Sequence, residues 1–306
     1  MNQITRREAL KRIYLATVAA GTAGFLSFDD VLAAADNKIN QPTVVWLQGT
    51  SCSGCSCSFL NIEDVPVIEL ITEFMDLVYH PDLSLATGND VLNIINNLIR
   101  SSRKYIFVFE GAVPVKLPHA CLMGGIPIME WVIRLASKAA VCIAAGTCAS
   151  FGGVAKMKGT ITGNMNLSEF LEYKHVDVPV VNLPNCPLKP EHITYTLLYY
   201  IKNRKLPELD QFKRPLYQYS KTVHERCIYY RDFQEDNFAE FIGDEGCFFK
   251  LGCQGPVTHN DCMKIGHNKN TNICIRAGHP CIGCADSEFP RKIMFHSFND
   301  KRSLVR

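Results

Sequence analysis

Fourteen cysteines in a chain of 306 residues constrain this protein more than any other feature. Many lie in short segments rich in glycine or proline: "SCSGCS", "GTCASFGG", "PNCPLKP", "LGCQGP" and "HPCIGC". Thiols in such numbers serve as disulfides, zinc ligands or iron–sulfur ligands, and each use demands a different fold. Structural zinc usually draws its ligands from paired C-x-x-C units. Here only Cys52/Cys55 and Cys281/Cys284 form such pairs, and the other cysteines are scattered. Small neighbours let backbone amides approach the sulfurs of a cluster and tune its potential. The spacing therefore favours iron–sulfur clusters, with zinc and disulfides as the alternatives.

The N-terminus bears on that choice. "TRREALKR" is basic, an apolar run from Ile13 to Leu26 follows, and "AAA" at Ala33–Ala35 offers a small-residue cleavage site. The run is short for a membrane span, which needs about 20 residues. Arg6 and Arg7 stand where a twin-arginine export signal carries its pair, so residues 1–35 are expected to be a removable signal. An amphipathic N-terminal helix is the alternative. The twin-arginine route carries proteins already folded, often with a cofactor inserted, which suits metal centres better than disulfides. A soluble, periplasmic protein without a transmembrane anchor is expected. The net charge of +2 gives no electrostatic case for a nucleic-acid partner.

From Thr43 to about Lys205 strand and helix patterns alternate. Strands are expected at Val44–Gln48, in "DLVYH", and at Tyr105–Gly111, Ala139–Gly146 and Val178–Pro184. Helical spacing fits "VPVIELITEFM", "NDVLNIINNLIRSS", "IMEWVIRLASK" and "PEHITYTLLYYIKN". Such alternation predicts an α/β fold with a doubly wound parallel sheet, whose ligands bind beyond the carboxyl ends of the strands. Cys52 and Cys55 follow the first strand, Cys148 the fourth and Cys186 the fifth, so one site of four ligands is expected there. "LPELDQFKRP" then reads as a linker. Residues 206–306 form a second, irregular region that a core alone would hold poorly and metal sites would stabilise. It carries His224, Cys227, Cys247, Cys253, Cys262, Cys274, Cys281 and Cys284, which suffice for two further sets of four. Cys57, Cys121 and Cys142 are left over and are expected to be packing or structural residues.

With these motifs in order, "VVWLQGTSCSGCSCSFLN", "FEGAVP", "AAGTCASFGGV", "NLPNCPLKPEH", "VHERC", "CFFKLGCQGP" and "AGHPCIGC", the chain resembles the small subunit of a nickel–iron hydrogenase. The resemblance implies a flavodoxin-like domain (43–205) followed by an irregular iron–sulfur cluster-binding domain (206–306). It implies a proximal 4Fe-4S cluster on Cys52, Cys55, Cys148 and Cys186, and a distal 4Fe-4S cluster on His224, Cys227, Cys247 and Cys253. A medial cluster falls to Cys262, Cys281 and Cys284. Many members have proline where Cys274 stands, and their medial cluster is 3Fe-4S. A cysteine there resembles the minority with a medial 4Fe-4S cluster, nickel–iron–selenium enzymes among them, and makes Cys274 the expected fourth ligand.

Other departures matter. Gly54 stands where oxygen-tolerant members carry an extra cysteine, so an ordinary proximal cluster is implied. Ser51 replaces a glutamate found in many members. Glu110 is read either as serving the site or as capping a loop. The implied function is reversible oxidation of dihydrogen, with the nickel–iron centre in a large-subunit partner and no bond-breaking residue in this chain. Electrons would pass from the large subunit through three clusters to a multihaem c-type cytochrome or another carrier. An iron–sulfur electron-transfer subunit of a different multisubunit oxidoreductase is one alternative, and a zinc-stabilised binding protein is another.

Overall fold

The computed structural model describes residues 41–62, 67–157, 160–267 and 272–290. The expected export signal at 1–35 lies outside them. Five strands form one parallel sheet: β1 (Thr43–Gln48), β2 (Asp76–Tyr79), β3 (Tyr105–Glu110), β4 (Val141–Ala145) and β5 (Val180–Leu183). Their order is β2-β1-β3-β4-β5, the flavodoxin-like order, with all neighbours parallel. The chain winds one way from β1 to β2 and the other way from β3 onward. The crevice between the ends of β1 and β3 is therefore the switch point where such folds bind ligands.

Side chains alternate between the two faces of each strand, and both faces are apolar, as a sheet covered on both sides requires. Register places Val45, Phe107, Cys142 and Val180 in one row and Trp46, Val108, Ile143 and Val181 in the next. The first row packs against α2 (Asn89–Arg100), α3 (Ile128–Ala136) and α5 (Leu167–Tyr173). Helix α2 buries Val91, Ile95 and Leu98, the spacing of one helical face. Asn166 and Glu169 form a reciprocal capping box that starts α5. The second row packs against α1 (Gly54–Leu60) and α6 (Pro190–Asn203) through Phe59, Ile193 and Leu197. Helix α4 (Gly146–Phe151) leaves the end of β4 directly.

After α6 the described residues contain only short helical turns. Their small core comprises Val223, Ala239, Phe248, Leu251, Met263, Ile273, Ile275 and Cys281, with Cys227, Cys253 and Cys262 packed against it. Candidate ligands are thus part of what holds this region together. It is also joined to the sheet. Ala285 lies in the core under α6, and Thr147 donates to the carbonyl of Cys284. Lys189, 0% exposed, donates to Asp261 at 2.6 Å and to the Ile265 carbonyl at 2.6 Å. His192 and Tyr219 extend this buried network, His192 Nε2 standing 2.9 Å from Asp261 and Nδ1 2.8 Å from the Tyr219 hydroxyl.

Candidate metal centres

The first set is built at the switch point. Beyond β1 the chain turns through Ser53, in the left-handed region at φ 59°, and enters α1 at Gly54. Cys52 and Cys55 flank that turn. Glu110, the last residue of β3 and 2% exposed, accepts from the amides of Cys55 and Ser56 at 3.1 Å each and from the Ser56 hydroxyl at 2.5 Å. The carboxylate thereby satisfies donors that the first turn of α1 would leave unpaired. Burial pushes the Glu110 carboxyl above its ordinary value, and hydrogen bonds from Ser56 and Cys55 oppose that. So Glu110 caps the turn that carries Cys55. A Glu110→Ala variant is expected to lose about 1–2 kcal/mol in chemical denaturation, the cost of a lost cap with its donors left buried.

Two glycines make room for the sulfurs. Gly146, at φ 82°, joins β4 to α4, and a Cβ there would fall 2.3 Å from the Cys55 sulfur. Gly153, at φ 49°, would place one 2.9 Å from the sulfur of Cys148. The amide of Leu188 points at Cys55 Sγ from 3.4 Å. Burial raises the thiols of Cys55, Cys148 and Cys186, and each is raised further by charge on neighbours in the set. Cys52 is among the neighbours felt by Cys148 and Cys186. Thiols that oppose one another's ionisation are what a bound cationic centre resolves, because it deprotonates its ligands.

The second set lines one hollow. His224, Cys227, Cys247 and Cys253 face it together with Phe248 and Ile275. Amides of Gly255 and Cys281 point at Cys253 Sγ from 3.4 and 3.3 Å. Burial lowers His224 from its ordinary value, keeping the imidazole neutral and fit to ligate. Its ring lies against Tyr230 and Phe233, with centroids 5.1 and 4.6 Å away.

The third set lines a cavity of about 130 Å³ that also meets Cys186. Cys262, Cys274, Cys281 and Cys284 all face it, so Cys274 stands with the other three. Burial drives the Cys284 thiol well up, and so does charge on Cys262 and Cys281. The sets adjoin in a definite order. Cys186, in the first set, also lines the cavity of the third, and Cys284 of the third donates to the side-chain oxygen of Asn185, the chain neighbour of Cys186, at 3.0 Å. The amide of Cys281, in the third, hydrogen-bonds the sulfur of Cys253, in the second. Among the described residues, no three His, Cys, Asp or Glu side chains are gathered closely enough to hold a single metal ion.

The remaining thiols separate. Cys142, 0% exposed, is a core residue of β4 as expected. Cys121 is half-buried, its sulfur 4.0 Å from the Gln48 carbonyl. Cys57, expected to be packed, is exposed instead. Helix α1 buries Ser56 and Phe59, and one step of about 100° turns residue 57 away from that face. Residues that sequence reasoning passed over are Thr147, Asn185 and Lys189. All three lie inside quoted motifs, beside cysteines that drew the attention.

Comparison with known proteins gives a consistent result. Residues 219–297 match the family model of the C-terminal domain of NiFe/NiFeSe hydrogenase small subunits. Residues 52–200 match that of the NADH ubiquinone oxidoreductase 20 kDa subunit. The chain is 35% identical to the periplasmic NiFe hydrogenase small subunit 1 of Nitratidesulfovibrio vulgaris, over 94% of this chain and 90% of that one. It is 30% identical to the periplasmic NiFeSe hydrogenase small subunit of Desulfomicrobium baculatum, over 94% of this chain and 96% of the other. The crystal structure of the reduced, active NiFeSe hydrogenase from Desulfomicrobium baculatum superposes with a TM-score of 0.78 at 31% identity, covering 82% of this chain and 96% of that one.

Proposed function

We propose, from the fact that this chain belongs to the family of nickel–iron hydrogenase small subunits, that it carries electrons through three 4Fe-4S sites between a nickel-containing large subunit and an external carrier. The observation that supports this path is the adjacency of the sets: Cys186 lines the cavity of Cys262, Cys274, Cys281 and Cys284, Asn185 beside it accepts from Cys284 Sγ, and the Cys281 amide donates to the sulfur of Cys253. Cys52, Cys55, Cys148 and Cys186 hold the proximal site, Cys262, Cys274, Cys281 and Cys284 the medial site, and His224, Cys227, Cys247 and Cys253 the distal site. A cluster at each site supplies one-electron acceptance and donation. The residues around it fix potential and spacing: amides of Leu188, Gly255 and Cys281 aim at ligand sulfurs and offset negative charge there.

Val154, Met157 and Ile161 are exposed in the segment that follows Cys148, which suits docking of the large subunit. At the other end the aromatic surround of His224 suits delivery to a soluble partner, for which a multihaem c-type cytochrome is our reading. Residues 1–35 serve as the twin-arginine signal in this scheme, with the heterodimer working in the periplasm. Residues 43–205 and 206–306 are its two domains.

Two other readings are weaker. The match to the 20 kDa family covers the sheet domain alone, whereas the second half matches the hydrogenase family, which counts against another oxidoreductase. A zinc-stabilised protein would draw its donors from paired C-x-x-C units, and the two such pairs here, Cys52/Cys55 and Cys281/Cys284, fall in different sets. The deciding experiment is anaerobic purification. A large subunit with bound nickel should accompany this chain, which itself carries iron and acid-labile sulfide. Zinc in place of iron, or a homogeneous chain with no partner, would defeat the proposal.

Cys274 gives a separate test. The oxidised protein should show no strong 3Fe-4S signal in electron paramagnetic resonance. A Cys274→Pro variant should gain that signal, and its medial site should titrate at a higher potential. A strong 3Fe-4S signal in the unmodified protein would show that Cys274 is not a ligand.

A further inference from the structure

The wall of the third cavity is mostly apolar. Around Cys262, Cys274, Cys281 and Cys284 it is built from residues such as Val223, Ile273, Ile275 and Ile282. Two polar side chains interrupt it, Thr258 and His267. The Thr258 hydroxyl is spent on the Gln254 carbonyl, to which it donates at 2.6 Å. The half-buried imidazole of His267, five residues beyond Cys262, is then the polar group left in the wall with the thiols.

A chain of contacts that begins outside the cavity decides which ring nitrogen carries the proton. The Lys189 ammonium and the Asp261 amide lie 3.3 and 2.8 Å from one end of the Asn260 carboxamide. Both are donors with no lone pair to offer, so that end is the oxygen. The Asn260 nitrogen therefore faces Asn185, whose oxygen accepts from it at 3.0 Å. The Asn185 nitrogen is left to meet His267 Nε2 at 3.4 Å, and Nε2 accepts. A neutral imidazole whose Nε2 accepts carries its proton on Nδ1. Asn185 is 0% exposed and Asn260 1%, so solvent does not compete for these groups. Asn185 also touches the site itself, its Oδ1 standing 3.0 Å from Cys284 Sγ.

We propose that His267 is a hydrogen-bond donor to the medial site, held in its Nδ1–H form by Asn185, and that it raises the reduction potential of that site. The proposal rests on the reading of Cys262, Cys274, Cys281 and Cys284 as cluster ligands. An electron arriving from the proximal side adds one negative charge there and leaves for the distal side, with no bond made or broken. An N–H directed at ligand sulfurs stabilises the reduced form more than the oxidised form. The sign does not depend on the charge of the ring, since an imidazolium would act in the same direction.

The test is a redox titration of the intact heterodimer, followed by electron paramagnetic resonance. In the unmodified protein, a medial cluster that titrates apart from the other two establishes the underlying reading, and its absence would defeat that reading itself. His267→Phe keeps a ring and removes its N–H. It should raise the oxidised-to-reduced ratio of the medial cluster at fixed potential by roughly three- to tenfold, the scale of one hydrogen bond. His267→Gln supplies an amide N–H instead and should restore most of the original ratio. The distal cluster should not move, because the hollow of His224, Cys227, Cys247 and Cys253 is lined without His267. His267→Met, flexible enough to fill the same space, covers the case in which the phenylalanine variant does not load its cluster. An unshifted medial ratio in a loaded phenylalanine or methionine variant overturns the proposal, as do equal shifts in the glutamine and phenylalanine variants. Loss of the cluster from both apolar variants would make His267 a packing residue and overturn it too. A shift in the apolar variants that the glutamine variant reverses supports it, since altered packing would not follow the presence of an N–H.

Discussion

A Cys148→Ala variant, purified with its large subunit, is expected to lose hydrogen-dependent reduction of an external acceptor by about 100-fold or more. Changes to groups that merely orient metal ligands cost about 10–100-fold, and a lost ligand exceeds that. Cys148 lies in the first turn of α4, and Gly153 leaves room for its sulfur. Iron content should fall with activity. Hydrogen–deuterium exchange, which needs only the nickel–iron centre of the large subunit, should survive, because the defect lies in electron removal. Cys142→Ala is the control. That thiol is buried in β4 on the face packed by α3, so its loss should cost about 1 kcal/mol of stability and leave iron and electron transfer intact. Equal losses from the two variants would show that Cys148 is a packing residue.

The second large effect concerns the joint between the two regions. Asp261→Ala is expected to lower apparent stability by about 3–5 kcal/mol, measured by the shift of a denaturant midpoint, because it strands the buried ammonium of Lys189. The pH dependence has a definite sign. Burial would raise the Asp261 carboxyl, but Lys189 and His192 outweigh it and hold the group well below the ordinary carboxylate range. Burial would also lower Lys189, and Asp261 reverses that, so the ammonium titrates above its usual value. An acid lowered on folding stabilises above its unfolded value of about 3.9 and loses that contribution as pH falls through the folded value. A base raised on folding holds its contribution until pH passes its own, higher value. The pair therefore stabilises fully at neutral pH, and its share disappears only in strong acid or strong alkali. Burial lowers the His192 imidazole from its ordinary value. A loss of the Asp261-dependent stability between pH 5 and pH 8 would contradict this assignment.

Much of the fold was legible because local rules carry it. The near-continuous apolar runs of Val44–Gln48 and Tyr105–Gly111 mark strands buried on both faces, and the spacing of Val91, Ile95 and Leu98 marks a helix with one buried side. Cysteines just beyond strand ends pointed to the switch point for the same reason. Cys57 shows where local reasoning fails. Its place outside the C-x-x-C count suggested packing, but exposure on a short helix depends on what that helix lies against, and Phe59 sets the answer. Glu110 was ambiguous because its partners, Cys55 and Ser56, lie on another segment.

The sequence by itself determined the ligand chemistry, the doubly wound order of strands and helices, and the resemblance that identified the family, since all three are written in residue types at short spacing. Only the tertiary structure decided which distant residues share a cavity and which set adjoins which. Cys52 and Cys186 are brought to one crevice by strand order, and Cys274 and Cys262 line one cavity although twelve positions separate them in the chain. The burial of Lys189 is likewise a tertiary fact. In the sequence it is one lysine among many, and it becomes a buried, paired cation only because Asp261, Asn260 and the Ile265 carbonyl close around it.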